Sequence, residues 1–335
     1  MSRFNTSERQ RSTTERRVNV HHDSGSSSNF RHPGQVDYPP NVRFRKITIV
    51  GVGLLGGSLG LAIQKRRLAD RVVGYVRRAA SLSQARKYRA VQEATLDLRA
   101  AVAGADLVIL CTPLAQMHGI VTQMATALKP GAIVTDVGSV KASVLRELEK
   151  RVAAAGAHFV GSHPMAGSEK TGVAVARADL FVNALCAVTP TKSSNRSALR
   201  SVEKFWKAVG GRVRRLSPQA HDLLVSRSSH LPHLLAATLT NLVLDPASPK
   251  ALADLCATGF RDTTRVASGS PEMWRDIAMA NRRNVVGALD AFARDLARLR
   301  RALTAGDEKW LTRWLVQARE RREKWRSRAT SPTPE

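Results

Sequence analysis

The sequence predicts an α/β fold, a doubly wound parallel sheet followed by an all-helical segment. Three observations carry that reading. Short apolar runs at Ile47–Val50, Val72–Val76, Leu107–Leu110 and Ala132–Thr135 alternate with helical stretches. Strands of that kind are buried on both faces, as they are when crossover helices cover both sides of a parallel sheet. The first run ends in a glycine-rich turn, and after about Ser217 the strand signals stop.

Residues 1 to about 44 read as a disordered basic tail, rich in Ser, Arg, Asn and Pro and without an apolar period. Its Arg and Ser content resembles an organelle import signal, but Glu8, Glu15, Asp23 and Asp37 argue against one. From Lys46 the texture changes. The run Ile47–Val50 leads through the glycine turn into a helix from Gly57 to about Lys65, and Val72–Val76 is the second strand. Phe159–Val160 and Ala187–Val188 read as later strands of the same sheet, which gives a first, α/β domain over 45–216. Helices then fill 217–328, at Leu223–Leu244, Met273–Leu303 and Lys309–Trp325, partly divided by Pro246, Pro249 and Pro271. Val285, Leu289, Phe292, Leu296, Leu299 and Leu303 recur at helical spacing. Residues 329–335 read as a disordered end.

Composition narrows the function class. No stretch of eighteen apolar residues occurs, so a membrane span is not expected. Cys111, Cys186 and Cys256 are far apart and lack metal-ligand spacing, which suits a reducing compartment. The cytoplasm is the expected location, with organelle import through the tail as the alternative. The net charge of +26 raises the question of nucleic acid. The arginines are scattered along helices without a nucleic-acid motif, so that partner is not expected. A positive field equally favours anionic small ligands.

Gly51-Val52-Gly53-Leu54-Leu55-Gly56 fits G-x-G-x-x-G directly after a strand and before a helix. The first glycine permits the tight turn, the second lets backbone approach a pyrophosphate, and the third lets helix and strand pack closely. The phosphate then rests on unpaired N–H groups at the helix N-terminus. Such a Rossmann-type site implies NAD or NADP. The acid that would bind the ribose diol of NAD belongs about twenty residues on. Val76 stands there, followed by Arg77 and Arg78. Guanidinium groups suit a 2′-phosphate, so NADP is the expected cofactor. If both arginines are merely solvated, either cofactor serves.

Polar groups cluster after two later strands. Asp136-Val137-Gly138-Ser139-Val140-Lys141 places Ser139 at a strand's carboxyl end, where such folds bind ligands. Gly161-Ser162-His163-Pro164 places His163 similarly, with a side chain suited to general-base work near neutral pH. Taken alone, His163 is equally well read as a cap or a buried hydrogen-bond partner. The helical segment adds His221-Asp222, His230 and His233 one turn apart, and Arg261 and Arg265. No established zinc spacing is completed, so no metal is expected. The two arginines fit carboxylate binding, but on these residues alone the surface-charge reading is preferred.

Together these segments resemble the prephenate and arogenate dehydrogenases: the glycine turn, Cys111-Thr112-Pro113, DVGSVK at 136–141, HPMAGSEKTG at 163–172, SHLPH at 229–233 and GFRDTTR at 259–265. The likeness runs from about residue 46 to 300 in the family's order. It implies that His163 is the catalytic histidine, accepting the proton of a ring 4-hydroxyl, and that Ser139 contacts this histidine, the nicotinamide and the substrate. Arg265 resembles the arginine that binds a substrate carboxylate, and His233 another pocket residue. Glu169, Asp222 and Trp274 match the polar network that closes the pocket. Thr112 and Pro113 join Gly51, Gly53, Leu54, Leu55, Gly56, Arg77 and Arg78 at the cofactor. The helical domain of this family forms a homodimer.

The implied reaction is oxidative decarboxylation of prephenate to 4-hydroxyphenylpyruvate in tyrosine biosynthesis, or of arogenate to tyrosine. The missing acid on the second strand departs from the family's usual NAD pattern. No fused chorismate mutase or regulatory domain is expected after the basic last helix. Two rivals stand against this. Another β-hydroxyacid dehydrogenase would leave HPMAG and SHLPH unexplained. A cofactor-sensing or RNA-binding protein with a retired site predicts loss of His163, Ser139 or Arg265, and all three are present.

Overall fold

The strands β1 (Phe44–Val50), β2 (Ala69–Tyr75), β3 (Glu93–Thr95), β4 (Leu107–Leu110), β5 (Ile133–Asp136), β6 (His158–Pro164), β7 (Leu185–Thr189) and β8 (Arg212–Arg215) form one eight-stranded sheet. The computed structural model describes residues 43–330, and these belong to one unit by backbone contact. The strand order is β3-β2-β1-β4-β5-β6-β7-β8. All neighbours are parallel except β6 and β7, which are antiparallel. The order reverses between β1 and β4, which opens a crevice at their carboxyl ends.

Each face of the sheet has its own core. On one face α1 (Leu54–Lys65), α2 (Ala79–Lys87) and, farther along the chain, Phe205 and Trp206 pack against Ile47, Ile49 and Val72. On the other face α3 (Leu98–Val102), α4 (Leu114–Met124) and α5 (Ala142–Ala154) pack against Val50, Val108 and Val134. Phe205 and Trp206 belong to α6 (Arg196–Ala208). Alternate residues of β1 serve opposite faces, so both must be apolar or internally satisfied. Buried Thr48 meets that demand by donating to the Ala101 carbonyl at 2.6 Å. Lys46, inside the same strand, sends its ammonium to the Ala103 carbonyl at 2.7 Å.

After β8 the described chain is helical: α7 (Pro218–Val225), a π turn at Ser226–His230, α8 (Leu231–Val243), α9 (Lys250–Asp254), α10 (Thr258–Thr264), α11 (Pro271–Ala280), α12 (Arg282–Thr304) and α13 (Glu308–Thr330). The expected helix Leu223–Leu244 is interrupted by the π turn, and Met273–Leu303 breaks at Asn281. Both interruptions bear on the site below. None of the helices among the described residues is long and apolar enough to cross a membrane.

The structure differs from the sequence reading at the edges. Phe44, assigned to the tail, begins β1, is buried, and lies edge-on to Phe205 with ring centroids 6.4 Å apart. The helix α1 begins at Leu54 rather than Gly57, because Gly57 N–H already bonds to the Gly53 carbonyl at 2.8 Å. The strands β3 and β8 carry Glu93 and Arg212-Val213-Arg214-Arg215. These are edge strands, half open to water, so no apolar run announces them. The stretch 329–335 starts inside α13, which runs to Thr330.

The rest of the expected tail lies outside the described residues. A chain beginning at Arg43 keeps β1 whole, including the Arg43–Asp70 ion pair. Such a chain is expected to retain the melting temperature and turnover of the full-length protein. A large loss in either measurement would show that residues before 43 contribute to the fold.

Candidate active site

The glycine turn after β1 explains its own composition. Gly51 has φ +99°, and a Cβ there would sit 2.8 Å from the Cys111 carbonyl oxygen. A Cβ on Gly56 would come within 2.0 Å of the Gly51 carbonyl oxygen, so α1 seats against the turn only with glycine. Gly53 has open space where its Cβ would point. Beside this turn lies a cleft of about 730 Å³ lined by Gly51, Gly53, Val76, Arg77, Arg78 and Thr112, among others. Thr112 Oγ1 is buried there with no hydrogen-bond partner among the described residues. An open face at Gly53, the unpaired N–H groups of the first turn of α1 and an orphan hydroxyl fit a dinucleotide phosphate.

Of the expected cofactor residues, Gly51, Gly53, Arg77, Arg78, Thr112 and Pro113 line this cleft. Leu54, Leu55 and Gly56 do not: Leu55 packs on the core and Gly56 on the turn, which leaves the first-turn backbone as their contribution. Arg77 and Arg78 are exposed at the mouth, while the Val76 side chain is buried.

Farther along the same carboxyl edge, three strands from β1, β6 carries His163, opposite Ala187 of β7. It sits within the strand's end rather than beyond it. Its Nδ1 lies 2.9 Å from His221 Nε2. His221 Nδ1 lies 2.8 Å from Asp222 Oδ1. That carboxylate also accepts the backbone N–H of Lys141 at 2.7 Å and of Ala142 at 2.9 Å, at the start of α5. His163 Nε2 has no partner among the described residues and is not sealed from solvent. Behind them Lys141 is fully buried, pairs with Asp136, and donates to the Ser162 carbonyl at 2.8 Å.

Three histidines here, His163, His230 and His233, are biased toward the neutral form. Desolvation, reinforced by His221, Lys141 and His230, depresses the pKa of His163 well below the usual imidazole value. Burial pushes His230 down to about 4, against the pull of Asp222. His233 is lowered by burial as well. Burial, with Asp136 nearby, raises the Cys111 thiol, so that wall of the cleft is not a thiolate.

The helical elements supply the remaining groups. Arg265, at the end of α10, pairs with Glu169 at 2.6 Å, which ties this exposed cation to the loop after His163. His233 stacks on Trp274, with ring centroids 3.5 Å apart and planes at 10°. Any Cβ on Gly269 would approach Trp274 Nε1 to 2.7 Å, so glycine there allows the stack.

Residues 59–215 match the family model for the prephenate dehydrogenase nucleotide-binding domain, and residues 217–317 that for the prephenate dehydrogenase dimerization domain. The chain is 34% identical to the cyclohexadienyl dehydrogenase of Zymomonas mobilis over 270 residues, covering 80% of this chain and 92% of that one. The chain belongs to the prephenate dehydrogenase family. A structure of the family's enzyme from Aquifex aeolicus, in complex with hydroxyphenyl propionate and NAD+, superposes with a TM-score of 0.78 at 32% identity, covering 84% of this chain and 98% of that one. Synechocystis arogenate dehydrogenase gives 0.69 at 31% identity, covering 84% and 99%. As a member, this chain is an oxidoreductase of the prephenate/arogenate class.

Three expected site roles change on the geometry. Asp222 is not placed to bind substrate, because it is 3% exposed and both carboxylate oxygens are taken by donors of the chain. Trp274 enters by stacking on His233 rather than through a polar network. Ser139 Oγ has no hydrogen bond to His163, whose Nδ1 belongs to His221; the Ser139 backbone instead lies against His230. Sequence reasoning assigned no role to His221, or to buried Asn281, which donates to the Asp222 carbonyl at 2.8 Å. No metal-ligand cluster is found among the described residues.

Proposed function

We propose that this chain oxidises and decarboxylates prephenate to 4-hydroxyphenylpyruvate, a step of tyrosine biosynthesis. One observation carries the reading: His163 presents an accessible Nε2 at the same sheet edge as the dinucleotide cleft, while its other nitrogen is held by His221. His163 takes the proton of the ring 4-hydroxyl, for which a neutral imidazole is required. A bound nicotinamide would accept the hydride from ring C4. Arg265, released from or shared with Glu169, holds a substrate carboxylate as a fixed cation. Aromatisation drives loss of the ring carboxylate as carbon dioxide, so the protein's task is orientation and charge matching. Ser139 and His233 border the ring, and NADP is the preferred cofactor through Arg77 and Arg78. The Aquifex structure holds NAD+, so this preference is assigned to this chain by its own residues.

The test is initial-rate spectrophotometry of nicotinamide reduction with prephenate and with arogenate, each with NADP and NAD. Turnover of prephenate is expected. Turnover of arogenate alone would move the assignment to that substrate, and turnover of neither would overturn it.

We infer that the helical region forms a homodimer. Phe292, Leu296 and Leu303 of the stripe are exposed, between 39% and 59%, as is Leu242 of α8 at 72%, so the described residues leave part of this apolar surface uncovered. Light scattering at micromolar concentration is expected to give twice the 36.5 kDa chain mass. A monomer would show that the stripe has another use.

A further inference from the structure

We propose that His221, backed by Asp222, is a positioning residue that holds His163 in the tautomer with hydrogen on Nδ1 and a bare Nε2. This rests on the dehydrogenase reading above and adds the group that makes His163 a base.

With His221 neutral, the chain of donors and acceptors leaves one consistent assignment. Asp222 carries a carboxylate, which only accepts when ionised. Its oxygens face the backbone N–H groups of Lys141 and Ala142 at the N-terminus of α5, where unpaired amides and the helix dipole favour an anion. His221 Nδ1, 2.8 Å from Oδ1, must therefore donate. A neutral His221 then has a lone pair at Nε2, 2.9 Å from His163 Nδ1. His163 Nδ1 donates into it, and the neutral ring keeps its lone pair on Nε2, the accessible nitrogen. The opposite tautomer would set two lone pairs or two hydrogens against each other in a site where His221 is fully buried.

The surroundings fix this arrangement from several elements. Asp222 and His221 stand on α7, and Asn281, between α11 and α12, holds the Asp222 carbonyl at 2.8 Å and lies 3.2 Å from His230 Nδ1. The charged and titratable groups around the histidine pair are Asp136 at the end of β5, Lys141 from the loop after it, His230 from the π turn, Cys186 from β7, and Asp222 itself. Lys141 is committed to Asp136 and Ser162, so it does not compete for the pair.

The proton balance follows. The substrate O–H bond breaks as the Nε2–H bond of His163 forms, and a bound nicotinamide would take the hydride. The new imidazolium keeps its Nδ1–H on His221, with Asp222 offsetting the charge. When the carboxylate leaves, its bond electrons enter the ring, and His163 returns its proton to the phenolate oxygen.

The test uses the full chain, uniformly 15N-labelled, with ring-nitrogen NMR at neutral pH and a His163→Asn sample to assign the signals. Wild type is expected to show His163 protonated on Nδ1 and bare on Nε2. His163 protonated on Nε2 in wild type would overturn the proposal, whatever the variants do. In kinetics, His221→Phe is expected to lower kcat about tenfold to hundredfold with the cofactor KM unchanged within about threefold, and His221→Gln, which retains an acceptor, to recover most of the loss. Normal kcat in His221→Phe would also overturn the proposal. Absence of turnover in wild type with either substrate would instead overturn the dehydrogenase reading, a result the NMR measurement keeps separate.

Discussion

Replacing His163 by asparagine is expected to lower kcat about 10²–10⁴-fold, the usual scale for loss of a general base, while leaving dinucleotide affinity nearly unchanged. The separation follows from geometry, because His163 is not among the residues lining the cleft. Asparagine keeps a polar group of similar reach that can still meet His221, so fold and cofactor site should survive. The pH profile provides a second check. The pKa of His163 is depressed below the ordinary 6.5, so the neutral, working form persists as pH falls through 6.5 and is lost only below the folded-state value. The acid limb of kcat/KM should therefore lie below pH 6.5 in wild type. Stability moves the other way: below 6.5 the unfolded chain takes up a proton that the folded one refuses, so this residue weakens the fold as pH falls. Near-normal turnover in His163→Asn, measured with saturating prephenate, would remove the residue from the chemistry.

What was legible in the sequence was local. The glycine turn needs only neighbouring residues to be recognised, and the structure gives Gly51 and Gly56 steric reasons. Strands buried on both faces announce themselves by unbroken apolar runs, whereas β3 and β8 at the edges do not. The histidine pair was out of reach, because its members lie 58 residues apart and meet only when α7 docks on β6. Asp222 is instructive in the same way: its residue type suggests substrate contact, but docking on the start of α5 consumes its acceptors. Asn281 breaks a long apolar period without glycine or proline, so nothing in the pattern marks the break. The π turn that leaves His230 and His233 buried is equally silent in composition.

A preference for NADP over NAD of about tenfold to hundredfold in kcat/KM is expected to reside in Arg77 and Arg78. Both guanidinium groups stand exposed at the mouth of the cleft. Charge-assisted hydrogen bonds to a 2′-phosphate are strong, but solvent and salt screen exposed cations, which limits the gain to about two orders of magnitude. The residue just before them, Val76, cannot accept a hydrogen bond from the ribose diol, so NAD lacks a contact that a carboxylate would supply. Changing Val76 to Asp together with Arg77→Ala should reverse the order, since a carboxylate repels the phosphate and binds the diol. The structure adds a cost to that experiment. The Val76 side chain is only 4% exposed and belongs to the core, so an aspartate there is partly desolvated and the melting temperature should fall. The arginine changes alone avoid this: with Arg77→Ala and Arg78→Ala combined, the two cofactors should approach parity while the fold is undisturbed. Raising the ionic strength should shrink the wild-type preference for the same reason. A wild type that already favours NAD would make both arginines bystanders and sink the assignment.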